Sequence, residues 1–343
     1  MIAKNKIKLF DPTIGKEEEA AIKKVLTSRF WASGSGAGSV QRFEKEFRNY
    51  VKCDSCIAVN SGTAALNLAL SLVDIKNKEV ILPSLSFVST AHSVIINGGI
   101  PIFVDVEPET LCVNPLKIKN AVSNKTAAIL PVHFGGIPCN LNEIKKIAKK
   151  HNLHVIEDAA HAAGSTYERK KIGSHSTAVC FSFHPVKNLA MPTGGLISIN
   201  HKNHQKFKKL LSARRWCGIT DRKETDYDVK ELGWNYYMNE FSAVIGLQQL
   251  KKLEKLNKIR KDIAKKYDQK ISCVLSLNVS KELIIKRILG SYQKAKKPIL
   301  INDLKLIVNA IDEGWLKVTP QGRNSNGKPR PPKYSLSLRN FNQ

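Results

Sequence analysis

From about residue 15 to residue 215, the chain alternates short apolar runs with longer amphipathic segments. The apolar runs, such as Ser55–Val59 and Ala178–Phe183, are typical of strands that are buried on both faces of a sheet. In the longer segments, such as Glu17–Thr27 and Leu141–His151, apolar residues recur at helical spacing among charged ones. This alternation predicts an α/β fold in three layers, with helices covering both faces of a mostly parallel sheet.

The residues that directly follow each predicted strand are the main candidates for function. In sheets of this kind, ligands bind at the loops beyond the carboxyl ends of the strands. We therefore expect polar side chains from several such segments to meet at one edge of the sheet. These segments are Ser61–Ala64, Ser84–Phe87, His133–Gly136, Asp158–His161 and His184–Lys187.

The pattern changes in the last third of the chain. A long helix is predicted from Met238 to about Asp268, where apolar residues recur at helical spacing. Farther on, Ile299–Ile311 is compatible with another helix, whereas Gln321–Lys333 is rich in Asn, Gly, Pro and basic residues and predicts an exposed loop or tail. The predicted parts are an α/β domain over residues 1–240, a connecting helix over residues 241–275 and a divergent basic segment over residues 276–343.

The formal net charge of +26 is high for a chain of 343 residues. Such a surface attracts nucleic acid, anionic membranes or phosphorylated small molecules. The lysines occur mainly in helical runs, such as Lys251, Lys252 and Lys255, which is typical of solvated helix faces. Because the sequence has no clustered reading motif and no apolar stretch long enough for a bilayer, we predict neither a nucleic-acid partner nor a membrane span.

Seven cysteines are scattered along the chain. The segment Met1–Phe10 alternates lysines with apolar residues, which is not the pattern of a secretory signal, so free thiols in a reducing cytoplasm are expected. Cys53 and Cys56 form a single C-x-x-C, and a zinc site would need a second pair of ligands at suitable spacing. We therefore predict no metal site and interpret this pair as incidental.

The segment Asn60–Leu66 has the pattern of a strand end, a tight polar turn and the start of a helix. Free backbone N–H groups and the positive end of the helix dipole favour a phosphate at such a turn. Gly62 lets the backbone approach a ligand closely, and the hydroxyl groups of Ser61 and Thr63 are further donors. Plain helix capping is the alternative interpretation.

Asp158 follows the apolar pair Val155–Ile156, at the edge of a buried sheet. A carboxylate in such a place needs a cationic partner, and a protonated pyridine nitrogen is one candidate that would turn a cofactor ring into an electron sink. A helix N-cap is the alternative.

Lys187 ends a third polar segment, after the apolar strand around Phe181 and Phe183. If this lysine is buried, desolvation lowers its pKa and favours imine formation with a carbonyl compound. Ser182 could then reach a phosphate and His184 could line the pocket. The alternative is an exposed surface lysine.

The order and spacing of these segments resemble the DegT/DnrJ/EryC1/StrS family of sugar aminotransferases, which have the type I fold of pyridoxal-phosphate enzymes. The resemblance is colinear over about residues 8 to 270, far beyond any one motif. The matching segments are Ser61–Leu66, Pro83–Thr90, Pro101–Val106, Pro131–Gly136, Glu157–Gly164, Phe181–Lys187 and Trp234–Met238.

The resemblance implies a role for each matching residue. Lys187 would be the Schiff-base lysine that also moves the substrate proton, and Asp158 would bind the pyridine nitrogen. Phe87 would stack on the cofactor ring, and His161 would lie near its phenolic oxygen. Asn235 would reach the phosphate in the neighbouring subunit, which implies a homodimer with a shared active site. The residues that would hold the cofactor phosphate within the subunit are Gly62, Thr63, Ala64 and Ser182.

Lys187 also distinguishes two chemistries. A branch of the family that removes a sugar hydroxyl has His at this position, so the lysine implies amino transfer. The expected reaction moves an amino group, from glutamate as donor, to a keto group of a nucleotide-linked sugar, as polysaccharide biosynthesis requires.

The sequence departs from the family pattern in three places. Pro192–Gly195 replaces the usual Gly-Glu-Gly-Gly, Tyr237 replaces an Arg, and the small C-terminal domain is truncated or replaced. Two alternatives therefore stand beside amino transfer. One is a cofactor-binding remnant of the family that cannot turn over, and the other is a nucleic-acid-binding protein driven by charge.

Overall fold

The computed structural model describes residues 8–223, 225–276, 316–319 and 333–336. The chain divides into two compact units, and the division falls between Ile259 and Arg260. The first unit contains the α/β sheet with its helices. The segment 276–343, which was predicted to replace the small domain, lies almost entirely outside the described residues, as do Ile299–Ile311 and most of Gln321–Lys333.

Secondary structure follows the predicted alternation closely. The predicted helix Glu17–Thr27 is observed as Lys16–Ser28, and the long helix begins at Glu240 and extends to Ser276. The helices are α1 Lys16–Ser28, α2 Ser39–Val51, α3 Gly62–Leu70, α4 Val88–Ile96, α5 Pro115–Ala121, α6 Leu141–His151, α7 His204–Arg215 and α8 Glu240–Ser276. The strands are β1 Ser55–Val59, β2 Glu79–Pro83, β3 Ile100–Val104, β4 Thr126–Ile129, β5 His154–Asp158, β6 Thr166–Tyr167, β7 Lys170–Lys171, β8 Ala178–Ser182, β9 Gly195–Ile199, β10 Ile219–Lys223, β11 Asp226–Val229, β12 Leu316–Thr319 and β13 Lys333–Leu336.

Seven of the described strands form the central sheet, in the order β1-β9-β8-β5-β4-β2-β3. The strands from β8 through β3 in that order pair in parallel. β9 is antiparallel to both β8 and β1, so β1 runs in the same direction as β8. The carboxyl ends of six strands and the amino end of β9 therefore lie at one edge of the sheet, and the predicted mostly parallel α/β fold is confirmed.

The sheet is buried on both faces because successive side chains of each strand point in opposite directions. In β8, Val179 and Phe181 belong to one core cluster, with Phe43 and Phe47 of α2, whereas Cys180 belongs to a second cluster on the other face. The first cluster also takes residues from α5 and α6, and the second takes residues from α3, α4 and α7. Helices thus cover the two faces, as the three-layer arrangement requires.

Candidate active site

A cavity of about 460 Å³ lies at the carboxyl edge of the sheet. Its wall is built from the segments that follow β1, β2, β4, β5 and β8, together with the residues just before β9. It brings together most of the residues that the sequence predicted. These are Gly62, Thr63, Phe87, Asp158, His161, Ser182 and Lys187.

Asp158 ends β5 and is only 4 % exposed. Its Oδ2 accepts a hydrogen bond of 2.9 Å from the hydroxyl of Thr90, and its Oδ1 accepts one of 3.1 Å from the Ala160 N–H. The carboxylate forms no ion pair with another described residue, although it lines the cavity. A buried carboxylate that has no ion-pair partner among the described residues suits a positively charged atom of a ligand.

Lys187 lies in the segment between β8 and β9 and is half-buried. Burial lowers the pKa of its ammonium group, and the negative charge of Asp158 partly opposes this effect. The mutual electrostatic influence and the shared cavity place both groups on the same side of the sheet. A lysine with a lowered pKa is a better nucleophile and a better proton acceptor near neutral pH.

His161 follows Asp158 by three residues and contacts the ring of Phe134 edge-on, with 5.7 Å between the ring centroids. Its Nδ1 accepts a hydrogen bond of 3.2 Å from the Gly135 N–H, so the neutral imidazole carries its proton on Nε2. Burial and the positive charge of Lys187 lower the pKa of His161, and Asp158 opposes them. Gly135 has a φ of 61°, a conformation that glycine adopts without strain.

The turn after β1 is the place where the sequence predicts a phosphate site. Ser61 is the N-cap of α3, and its hydroxyl accepts the Ala64 N–H at 3.1 Å. Gly62 and Thr63 open the helix, so their N–H groups have no partner within it. A Cβ at position 62 would lie 2.7 Å from the Cβ of Ser182, so only glycine lets the turn approach that side chain.

Two predicted residues do not line the cavity. Ala64 is buried, and its N–H is already used by the Ser61 cap. Asn235 is exposed, and its backbone carbonyl accepts a hydrogen bond of 3.3 Å from the Asn60 side chain. Ala64 directly follows the turn in sequence, and Asn235 contacts Asn60, which precedes the turn. The roles of both residues stay predictions.

Phe87 lines the cavity with a side chain that is 73 % exposed. It is the residue before the first turn of α4, whose position is fixed by the backbone hydrogen bond from Thr90 N–H to the Phe87 carbonyl. Because an exposed aromatic ring at a cavity mouth can cover a flat ligand, its placement fits the predicted stacking role.

Sequence reasoning missed Thr90, which is fully buried and linked to Ser86 as well as to Asp158. The hydroxyl oxygens of Ser86 and Thr90 are 2.6 Å apart. Thr193 was also missed as a site residue; it lines the cavity and its hydroxyl donates to the Asn60 carbonyl. For Thr193 the available signal was its position just before β9, whereas Thr90 lies inside α4, beyond the polar segment that follows β2.

Behind the cavity, Glu157 points to the opposite face of the sheet from Asp158. It is fully buried, and its Oε2 accepts a hydrogen bond of 2.8 Å from His133 Nε2. The other ring nitrogen of His133 accepts the Cys139 N–H at 3.0 Å, so the imidazole carries a proton on Nε2. Burial is the largest influence on the pKa of Glu157 and acts to raise it. The hydrogen bond and the electrostatic effect of His133, with smaller contributions from Ser176 and His175, together outweigh burial, so the pKa lies below its usual 4.5.

Replacing His133 with alanine should lower the free energy of unfolding by about 3 kcal/mol at pH 7, because a buried carboxylate loses its donor. The wild-type contribution is present above the unfolded pKa of 4.5 and is lost as pH falls through the lower folded pKa. Urea denaturation should therefore show that the free energy of unfolding of the variant is lower than that of wild type, and that this difference shrinks below about pH 4.5. Glu157→Gln, which keeps an acceptor without the charge, should cost less, and a deficit independent of pH would contradict the argument.

No helix among the described residues is long and apolar enough to cross a membrane.

Comparison with known proteins gives a consistent result. The model of the DegT/DnrJ/EryC1/StrS aminotransferase family matches residues 12–282. The spore coat polysaccharide biosynthesis protein SpsC of Bacillus subtilis is 39 % identical over 262 residues, which cover 75 % of this chain and 67 % of SpsC.

Solved structures agree with the family match. Helicobacter pylori PseC, an aminotransferase involved in pseudoaminic acid biosynthesis, has a TM-score of 0.72 at 28 % identity, covering 77 % of this chain and 70 % of PseC. The PLP-form of the sugar aminotransferase Spr1654 from Streptococcus pneumoniae has a TM-score of 0.72 at 26 % identity. The match covers 77 % of this chain and 71 % of the Spr1654 chain.

These matches confirm the predicted resemblance, the fold and the cofactor. Amino transfer to a sugar with pyridoxal phosphate is the activity that the relatives and the cavity support together. This chain belongs to the DegT/DnrJ/EryC1/StrS aminotransferase family and is a pyridoxal-phosphate-dependent enzyme.

Proposed function

We propose that the enzyme transfers an amino group from glutamate to a keto group of a nucleotide-linked sugar. The observation that carries this proposal is the position of Lys187 and Asp158 on the wall of one cavity. An amine with a lowered pKa and a buried carboxylate can act on two ends of the same ligand. The names of SpsC and Spr1654, which refer to polysaccharide biosynthesis and to a sugar aminotransferase, support a sugar as the acceptor.

The site fits pyridoxal phosphate in charge and in shape. The buried Asp158 carboxylate has no ion-pair partner among the described residues and suits a protonated ring nitrogen. At the turn after β1, the free N–H groups of Gly62 and Thr63 and the hydroxyl of Ser182 suit a phosphate. When bound, the cofactor supplies a ring that withdraws electrons from the reacting carbon.

The chain's own residues then have distinct tasks. Asp158 would hold a proton on the ring nitrogen, and Thr90 and the Ala160 N–H fix the direction of its carboxylate. His161 would offer its Nε2–H as a donor to the phenolic oxygen, because the Gly135 N–H occupies Nδ1. Phe87 would cover one face of the ring.

Lys187 would hold the cofactor through its amine, and the free amine would accept or donate the substrate proton. Its lowered pKa increases the fraction of free amine that can accept this proton at neutral pH. Neighbouring Asp158 limits how far the pKa falls.

The choice of a nucleotide-linked acceptor rests on charge. The chain carries a net charge of +26, which favours a substrate with a diphosphate group. The donor and acceptor can be tested together with purified protein loaded with pyridoxal phosphate. L-Glutamate should convert the visible cofactor absorption to the near-ultraviolet form, and a nucleotide-linked keto sugar should reverse the change. No response to either glutamate or the keto sugar would contradict the proposed function.

We further propose a homodimer in which Asn235 of one subunit completes the phosphate site of the other. Its exposed side chain does not line the cavity of its own subunit, which supports this arrangement. In a two-fold dimer, each site would combine Lys187 from one copy with Asn235 from the other.

Subunit mixing tests the shared site. Lys187→Ala and Asn235→Asp should each be nearly inactive, the second because a carboxylate repels the phosphate. Co-expressed in equal amounts, they should form mixed dimers in half of the cases, each with one intact site, and recover about one quarter of wild-type activity. If Asn235 served its own subunit, the mixture would stay inactive.

A further inference from the structure

The sulfur atoms of Cys53 and Cys56 lie 3.3 Å apart, at the junction between α2 and β1. Cys53 is half-buried, whereas Cys56, the second residue of β1, is only 2 % exposed. From its spacing alone, this C-x-x-C was interpreted as incidental. Direct contact between the two sulfurs changes that interpretation, because a small movement would bring them within bonding distance.

The two thiols are chemically different. The Cys53 thiol can donate a hydrogen bond of 3.3 Å to the Ser55 carbonyl, and either sulfur of the pair can donate to the other. A hydrogen bond from Cys56 lowers the pKa of Cys53 against the opposing effect of burial. Burial raises the pKa of Cys56 well above its usual value. Of the two thiols, Cys53 therefore loses its proton more readily, and it is also the more accessible one. Thiolate character and access together make a cysteine a nucleophile.

A cavity of about 540 Å³ lies next to the pair, and Cys56 forms part of its wall. Four basic residues also line it: Arg42, Lys45, Arg48 and Lys208. None of them forms an ion pair within the described part of the chain. The one acidic residue of the wall, Glu44, is paired with Arg215 at 2.7 Å. Uncompensated positive charge thus lies beside Cys56, and through it close to Cys53, and such charge attracts anions. The neighbouring carboxylate of Asp54 acts on Cys53 in the opposite sense.

We propose that Cys53 and Cys56 are a redox modification site that exchanges with an anionic low-molecular-weight disulfide. The Cys53 thiolate attacks one sulfur of that disulfide, whose S–S bond breaks and releases one thiolate, which takes up a proton. Cys56 then loses its proton and attacks the Cys53 sulfur, and the second external thiol leaves. Two protein thiols are oxidised to one disulfide, and one external disulfide is reduced to two thiols. This step uses no residue of the aminotransferase site.

Glutathione disulfide is the probe for the first experiment. The full-length protein is incubated with it at millimolar concentration, quenched with a thiol-blocking reagent, digested and analysed by mass spectrometry. We expect a peptide with a Cys53–Cys56 bond, which dithiothreitol reverses. In Cys56→Ala the reaction should stop at a glutathione adduct on Cys53, and in Cys53→Ala the Cys56 thiol should stay unmodified.

Cys217 is the matched control, since it is an exposed cysteine with a residue other than cysteine three positions to either side. It should form only a glutathione adduct. If the wild-type protein at equilibrium carries glutathione on Cys53 or remains reduced, without an intramolecular bond, the proposal is wrong. Because this measurement reads a covalent bond, its outcome does not depend on amino transfer.

The role of the basic cavity needs a second comparison. Oxidation rates are measured with glutathione disulfide, which is anionic, and with cystamine, which is cationic. In a variant carrying Arg48→Gln and Lys208→Gln, the rate with glutathione disulfide divided by the rate with cystamine should fall by about tenfold relative to wild type. An unchanged ratio would overturn the preference for an anionic disulfide.

Discussion

Replacing Lys187 with alanine is expected to abolish covalent attachment of pyridoxal phosphate and to lower the rate of amino transfer by about 10⁴-fold. The variant loses both the amine that binds the cofactor and the group that moves the substrate proton. The fold should persist, because the side chain is half-buried in the cavity wall and not part of either core cluster. Borohydride reduction followed by peptide mass analysis measures attachment, and single-turnover kinetics with glutamate measure the rate.

Lys187→Arg is the matched variant for charge. Arginine keeps a cation in the pocket, but its guanidinium stays protonated and cannot bind a carbonyl or accept the proton. It should therefore fail as completely as alanine. Lys149→Ala, on the exposed face of α6, should behave like wild type. Retention of more than about a tenth of the activity in Lys187→Ala would exclude the lysine as both anchor and base.

The second large effect is expected for Asp158→Asn, which should slow the half-reaction with glutamate by about 10²- to 10³-fold. Asparagine keeps the size of the side chain and an acceptor for one of the two hydrogen bonds that hold Asp158. What disappears is the negative charge that stabilises a proton on the ring nitrogen. Cofactor attachment to Lys187 should persist, so that mass analysis separates slowed chemistry from lost binding.

Glu157 offers a control one residue away. Its carboxylate is equally buried but faces His133 on the other side of the strand. Glu157→Gln should reduce stability while the half-reaction rate stays within a few-fold of wild type. If Glu157→Gln and Asp158→Asn slowed the half-reaction equally, loss of any negative charge near this strand end would explain the result. A specific interaction of Asp158 with the cofactor would then be contradicted.

The sheet could be predicted from sequence because its strands are short apolar runs between amphipathic helices. Helix α7 was not predicted: seven of its twelve residues are Lys, Arg, His or Gln, so its apolar stripe is narrow. The strand predicted over residues 126–132 ends at Ile129, and Pro131 just beyond it cannot donate to a neighbouring strand. Local pattern thus located the elements better than it located their ends.

The site residues were predicted in two ways, by position after a strand and by resemblance to the aminotransferase family. Position after a strand indicated Thr63, Asp158 and Lys187, because the topology of a parallel sheet brings such positions together. Thr90 could not be found in this way, since its hydrogen bond to Asp158 joins residues 68 positions apart. The protonation state of His161 depends on Gly135, which belongs to a different loop. Such contacts are set by tertiary packing, which no local pattern encodes.

The reversed direction of β9 has a consequence for how the lysine segment can be inherited or exchanged. Residues 183–194 leave β8 and enter β9 at the same end of the sheet, and Phe183 N–H binds the Gly194 carbonyl at 2.9 Å. A second backbone bond joins Met191 N–H to the Phe183 carbonyl at 2.8 Å. The segment is therefore a loop whose two ends are joined by backbone hydrogen bonds and continue into adjacent strands. Recombination between homologous genes could transplant it whole, reshaping substrate preference around Lys187 without disturbing the strand order.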